Sequence, residues 1–150
     1  LAPAHRVLLA APAYLATHPA PQHPAELPCH TGILIRSLQT GRFPAWTLRD
    51  SHGAQAPVGL PVSISVDDPE AACHAARAGL GITLASTAHA LPFLEAGTLL
   101  RVLPDWHVDA GRIAIYFPAQ RLLAPKTRAF VDYVVEQCRA QRLAERLSAV

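Results

Sequence analysis

Pro61-Val62-Ser63-Ile64-Ser65-Val66-Asp67-Asp68-Pro69-Glu70, followed by the alanine-rich run Ala71 to Ala78 and then Gly79-Leu80-Gly81-Ile82-Thr83-Leu84-Ala85, decides the fold. Residues 61–66 alternate apolar and polar side chains at period two, which predicts a strand with two unlike faces. An aspartate, a proline and an acid in succession then form a strong helix start. The aspartate caps free backbone N–H groups, the proline has its φ preset for the first helical position, and the acid meets the positive end of the helix dipole. Gly79 is placed for a left-handed C-terminal cap. After the short connection usual in such units, residues 81–85 read as a second strand.

Outward from this unit the pattern repeats. Ser86-Thr87 caps a helix running to about Leu94, and Gly97 turns the chain into a strand over Thr98 to Leu103. Upstream, Arg6 to Ala11 is a short apolar run closed by Pro12, and Pro12 opens a short helix. His18 to Cys29 is proline-rich loop with one turn at Pro24 to Leu27. Ile33-Leu34-Ile35 is a strand, and Gly41 to Pro61 is a hairpin-like excursion with a short strand at Trp46-Thr47-Leu48. Downstream, Arg112 to Phe117 reads as a strand ended by Pro118. Pro125 opens a long helix with Phe130, Val134 and Cys138 on one stripe, which Leu143 and Leu147 would extend. Such alternation predicts an α/β fold with parallel pairing and helices on the sheet faces.

Composition narrows the function classes. Of the 150 residues, 51% are hydrophobic and 16% charged, which fits a buried core and excludes disorder. The formal charge of +2 is too small for an electrostatic grip on nucleic acid. No apolar run reaches the roughly 20 residues that cross a bilayer. Cys29, Cys73 and Cys138 are odd in number and far apart, which fits reduced thiols in a cytoplasm better than a disulfide framework. The chain holds no methionine and lacks a signal-peptide pattern at Leu1 to Arg6, so it reads as part of a longer protein.

Catalytic and metal-binding readings find little support. His18, His23, Cys29 and His30 match no common zinc spacing and read as solvated loop residues. Ser63, Ser65, Asp67 and His74 lack a nucleophile elbow, and capping accounts for Asp67-Asp68 more simply than paired acid–base chemistry. Gly79-Leu80-Gly81 follows a helix and precedes a strand, the reverse of what a phosphate loop needs. Trp46 and Trp106 read as packing residues rather than a stacking platform. The expectation is no enzyme, no cofactor and no metal.

Several of these segments, in order, resemble one family. Arg6-Val7-Leu8-Leu9-Ala10-Ala11-Pro12-Ala13-Tyr14-Leu15 resembles the lead-in to the second lobe of LysR-type effector domains, with Ala11 in place of the common serine. Pro24-x-x-Leu27, Val66-Asp67-Asp68-Pro69-Glu70-Ala71, Ala75 to Ile82, Gly97 to Trp106, Ile115-Tyr116-Phe117-Pro118 with Arg121, and Pro125 to Asp132 follow at the family's spacings. Leu84-Ala85-Ser86 departs from it where relatives carry a proline. The resemblance implies a periplasmic-binding-protein-like, Rossmann-like pair of lobes, the second complete and the first only partly present. Residues 1–11 would be a crossover strand of lobe I, 12–108 lobe II, and 109–150 a return strand and C-terminal helix of lobe I. The 112–117 strand and the 125–138 helix would then need the rest of lobe I, or another chain, over their apolar faces.

It further implies a bacterial transcription regulator whose effector binds between the lobes and controls a winged helix-turn-helix absent from this chain. The regulator would be cytoplasmic, homodimeric or homotetrameric, and off the membrane. Ligands of open parallel sheets sit at strand ends and helix starts, and the effector-binding residues that the resemblance implies there are Leu34, Ile35, Arg36, Val66, Asp67, Gly81 and Ile82. Arg36 is either a surface residue or the partner of an organic acid's carboxylate. The alternative is an extracytoplasmic solute-binding protein of a transporter.

Overall fold

The computed structural model describes residues 1–116 and 124–150. Eight strands are present among them: β1 (Ala2–Ala10), β2 (Gly32–Ile35), β3 (Thr47–Arg49), β4 (Gln55–Pro57), β5 (Val62–Val66), β6 (Ile82–Ser86), β7 (Leu100–Val102) and β8 (Val108–Ile113). Five helices accompany them: α1 (Pro12–Thr17), α2 (Pro69–Arg77), α3 (Thr87–Glu95), α4 (Pro125–Ala140) and α5 (Leu143–Arg146). A 3-10 turn at Pro24–Cys29 occupies the place of the turn expected in the proline-rich loop.

The main sheet runs β5-β2-β6-β1-β7, with β8 also on β1. The β5-α2-β6 and β6-α3-β7 units each return parallel, as their alternation predicts, but each leaves a gap of one strand. β2 fills the first gap in parallel, and β1 fills the second antiparallel to both neighbours. The sheet is therefore mixed rather than purely parallel. β1 belongs to neither strand-helix-strand unit, so no crossover helix sets its direction.

Both faces of β1 are covered, which is why it reads as a continuous apolar run. Val7 and Leu9 pack with Ala72, Cys73, Ala76 and Ala90 of α2 and α3. Leu8 and Ala10 face the other way, with Tyr14, Leu27, Leu48, Leu84 and Val108. Helices α2 and α3 thus cover one face, while α1, the 3-10 turn and the β3–β4 hairpin cover the second. In that hairpin the Asp50 carboxylate accepts from the N–H groups of His52 and Ala54, and Gly53 supplies a φ of +85°.

Local chemistry fixes the ends of α2. Asp68 is the cap, its carboxylate accepting from Ala71 N–H at 2.7 Å. At the other end Gly79, at φ +80°, donates to Ala76, and Leu80 donates to Ala75, the paired bonds of a left-handed termination.

Three segments differ from expectation. β8 covers Val108–Ile113 rather than 112–117. Val108 is buried and pairs with Arg6, whereas Tyr116 is 93% exposed and nothing holds it in a ladder. Phe117, Pro118 and Arg121 lie outside the described residues. β7 starts at Leu100, because the Thr98 hydroxyl and N–H both bond Phe93 O and close α3 instead. The last helix stops at Ala140, where Arg142 at φ +51° breaks it before α5. Leu147 is buried against the sheet body, but no residue of α4 is buried, and Phe130 is 62% exposed.

Candidate functional site

Because β2, β5 and β6 are parallel, their carboxyl ends meet at one edge of the sheet. There a recess of about 180 Å³ opens. Leu34, Ile35, Arg36 and Ser37 line it from β2 and the turn after it, and Arg6 and Leu84 contribute from β1 and β6. Phe43, Pro44 and Trp46 close it from the segment leading into β3.

The backbone explains this convergence. Arg36 N–H donates to Val66 O at 2.7 Å, which carries the parallel ladder one residue past β2. Ser37 then donates to Arg42 O, and Gly41, at φ +66°, donates to Ser37 O. That tight turn brings the apolar segment 43–46 back over the strand ends.

Two guanidinium groups face the recess. Arg36 is exposed at the rim. Arg6 is half-buried: strand alternation places it on the face of Leu8, and its guanidinium carbon lies 4.4 Å from the Trp46 ring centroid. That is cation–π range. Its Nε is shut off from water and has no hydrogen-bond partner among the described residues. Burial holds its pKa below the ordinary arginine value. None of the ion pairs among the described residues involves Arg6 or Arg36. The recess thus combines an apolar lining with two cations that form no ion pair among the described residues.

Of the residues expected at the site, Leu34, Ile35 and Arg36 line the recess. Val66 adjoins it through the ladder, and Asp67 follows at the exposed bend before α2. Gly81 and Ile82 stand at the opposite, amino end of β6. Ile82 is fully buried there, and a Cβ on Gly81 would come within 2.4 Å of Thr31 O. That glycine is required by close backbone approach. Two residues that line the recess, Arg6 and Trp46, are not among those the sequence points to: Arg6 is not singled out and Trp46 reads as a packing residue. The available signal was period two: a cation two residues before the fully buried Leu8, on the same strand face.

The histidine-rich loop has its own structural uses. His30 is only 9% exposed, contrary to its reading as a solvated residue. Tyr14 Oη accepts from Thr31 N–H at 3.0 Å and shares a hydrogen bond with His30 Nδ1 at 3.2 Å. Burial, then nearby His18, lower the His30 pKa, against a smaller opposing effect of Glu26. His18 stacks on Tyr14, and His23 Nδ1 accepts from Ala25 N–H. Among the described residues no group of three or more His, Cys, Asp or Glu side chains is placed to hold a metal ion.

A mixed α/β sheet with a cationic recess at the carboxyl ends of its parallel strands defines a small-ligand-binding domain of Rossmann-like construction. The family model described as "LysR substrate binding domain" matches residues 1–139, and the chain belongs to that family. It is 32% identical to an HTH-type transcriptional regulator of Xanthomonas campestris over 93% of this chain and 44% of that protein. It is 34% identical to the HTH-type transcriptional activator TtdR of Escherichia coli, again over 93% of this chain and 44% of that one. The chain thus spans under half the length of these relatives.

Among solved structures, it is similar to the regulatory domain of AphB from Vibrio vulnificus, with TM-score 0.72 and 25% identity over 91% of this chain and 66% of that one. Full-length AphB of Vibrio cholerae matches with TM-score 0.61 and 31% identity, over 71% of this chain and 35% of that one. These neighbours have regulatory domains with a periplasmic-binding-protein-like fold. That the relatives are regulators favours a sensing domain over a transporter's binding protein.

Proposed function

We propose that this chain is the effector-sensing part of a cytoplasmic bacterial transcription regulator, in which a small organic acid binds beside β2 and β5 and alters DNA binding by a separate winged helix-turn-helix. The observation that carries this reading is the recess at the carboxyl ends of the parallel strands, walled by Leu34, Ile35 and Arg36 with Val66 and Asp67 adjoining. Residues 1–11 are assigned to the crossover strand of lobe I, 12–108 to lobe II, and 109–150 to the return strand and C-terminal helix of lobe I. Ala2 to Arg6 pair with β8, whereas Val7 to Ala10 pair with β6 and β7 of residues 12–108, which favours a crossing within β1 rather than after residue 11. The exposed Phe130 and Tyr133 of α4 are assigned to contact with the remainder of lobe I. The regulator is a homodimer or homotetramer on this reading, and the ligand acts by favouring one lobe arrangement.

The test is fluorescence anisotropy of the full-length protein on DNA from upstream of its own gene, titrated with a panel of small organic acids. The reading expects at least one acid to change the affinity for that DNA severalfold, with the effect diminished in the Arg36→Ala variant. Specific DNA binding that no acid alters, in a protein that melts at the same temperature with and without each acid, counts against it.

A further inference from the structure

We infer that Arg6, rather than the exposed Arg36, is the anchor that selects ligands bearing a carboxylate on a flat apolar body. This rests on the effector-sensing reading and names the ligand class for the same recess. Three observations converge on Arg6. It is an always-charged group held half out of water, with no carboxylate within ion-pair distance among the described residues. Its Nε is dry and unpartnered, and its guanidinium lies over Trp46.

A cation in such a place is costly unless compensated, and an indole face compensates only part of a full charge. A ligand carboxylate supplies the rest, and the planar guanidinium matches its geometry. Around Arg6 the recess is apolar, through Leu34, Leu84, Phe43 and Pro44. That lining suits a hydrocarbon or aromatic body and offers little to a sugar or a phosphate ester. Arg36, in water at the rim, interacts in a screened environment and contributes less.

Position adds a consequence. Arg6 pairs with Ser86 of β6 on one side and with Val108 of β8 on the other. It therefore stands where β1 passes from the main sheet to the two-stranded ribbon with β8. An anion on Arg6 acts on that junction directly, whereas one on Arg36 touches only the turn after β2.

The experiment is calorimetric titration of the full-length protein with benzoate and with uncharged benzamide, at constant ionic strength, in wild type, Arg6→Gln, Arg6→Lys and Arg36→Ala. Wild type is expected to bind benzoate at least tenfold more tightly than benzamide. Arg6→Gln should weaken benzoate at least tenfold and bring the two ligands to parity. Arg6→Lys should recover part of the preference, and Arg36→Ala should cost no more than about threefold. Should Arg6→Gln fail to fold, benzoate quenching of Trp46, taken as the difference between wild type and Trp46→Phe, reports the same contact and is expected to saturate with the calorimetric affinity. The inference is overturned if Arg6→Gln keeps the benzoate preference, if Arg36→Ala loses more than Arg6→Gln, if Trp46 does not respond, or if wild type binds no benzoate at about 20 mM, on the order of ten-thousandfold above micromolar affinity. In the first two cases the sensing reading survives with its anchor elsewhere, and DNA binding that responds to an acid separates that from failure of both.

Discussion

Gly81→Ala discriminates between a glycine that contacts ligand and one that the fold requires. Gly81 adopts φ +149°, a conformation that costs an L-residue about 1–3 kcal/mol. The new Cβ would lie 2.4 Å from Thr31 O, so the carbonyl must shift. That same carbonyl accepts from Ile82 N–H at 2.8 Å where β6 begins, and weakening this bond adds about 0.5–1.5 kcal/mol. Reduced freedom in the unfolded chain returns about 0.4–1 kcal/mol. The sum is a destabilisation of about 0.5–4 kcal/mol, centred on about 2 kcal/mol. Gly79→Ala is the matched control: its φ is also positive, at +80°, but nothing lies within 4 Å of the new methyl group. Its expected cost is about 1 kcal/mol. Urea unfolding of the full-length protein, followed by far-UV circular dichroism, gives both values in parallel. If Gly81→Ala costs no more than Gly79→Ala, the close approach of Thr31 does not constrain the fold. If it leaves stability unchanged but abolishes ligand binding, Gly81 belongs to the site after all.

Other consequences are simpler to read. Asp68→Ala removes the cap of α2, whose carboxylate accepts from Ala71 N–H, and should lower stability by about 1 kcal/mol in the same urea assay; Asp68→Asn should restore most of it. His30 has its folded-state pKa depressed below the ordinary 6.5, so the unfolded chain binds the proton more readily. Its contribution to stability is therefore complete above about pH 6.5 and declines as pH falls below that value. His107 is shifted the same way, so His30→Gln should flatten the stability slope between pH 7 and 5 only in part. A slope unchanged in that variant would remove His30 from the account. Cys73 is fully buried and its pKa is pushed up to about 11, chiefly by burial with Glu70 and Asp68 adding, whereas Cys29 is exposed. Iodoacetamide at pH 8 followed by peptide mass spectrometry should label Cys29 at least tenfold faster than Cys73.

The alternation of short apolar runs with capped helices was legible because each signal is local. Asp68-Pro69, Gly79 and Ser86 act on the chain within a turn of themselves, so the bounds of α2 and the start of α3 follow from the residues alone. The direction of β1 was not local. Whether it runs with or against β6 depends on residues more than 70 positions away, and an apolar run buried on both faces looks the same either way. The 108–113 strand was misplaced for a related reason. Val108-Asp109-Ala110-Gly111 has no strand pattern of its own and is held by the pairing of Val108 and Asp109 with Arg6 and His5, whereas the apolar pattern runs on to Ile115 although the ladder ends at Ile113, opposite Ala2.

The recess divides along the same line. Leu34, Ile35 and Arg36 were accessible because strand ends in a parallel unit converge, a rule that needs only the order of elements. Gly81 and Ile82 were grouped with them because they also flank a strand. In a parallel pair, however, the start of one strand lies beside the start of its neighbour: Ile82 is level with Gly32 and remote from Ile35. Strand polarity, not proximity in a motif, sets which end of the sheet Gly81 occupies. Arg6 shows the converse. It stands where the antiparallel β1 enters the main sheet, and reversing β1 brings that point to the carboxyl ends of β2 and β6, level with Ser86. The one strand whose direction the alternation left open is therefore the strand that delivers a half-buried cation to the recess. A chain with β1 parallel would place Arg6 at the far end of the sheet beside Gly81, leaving the recess with the screened charge of Arg36 alone.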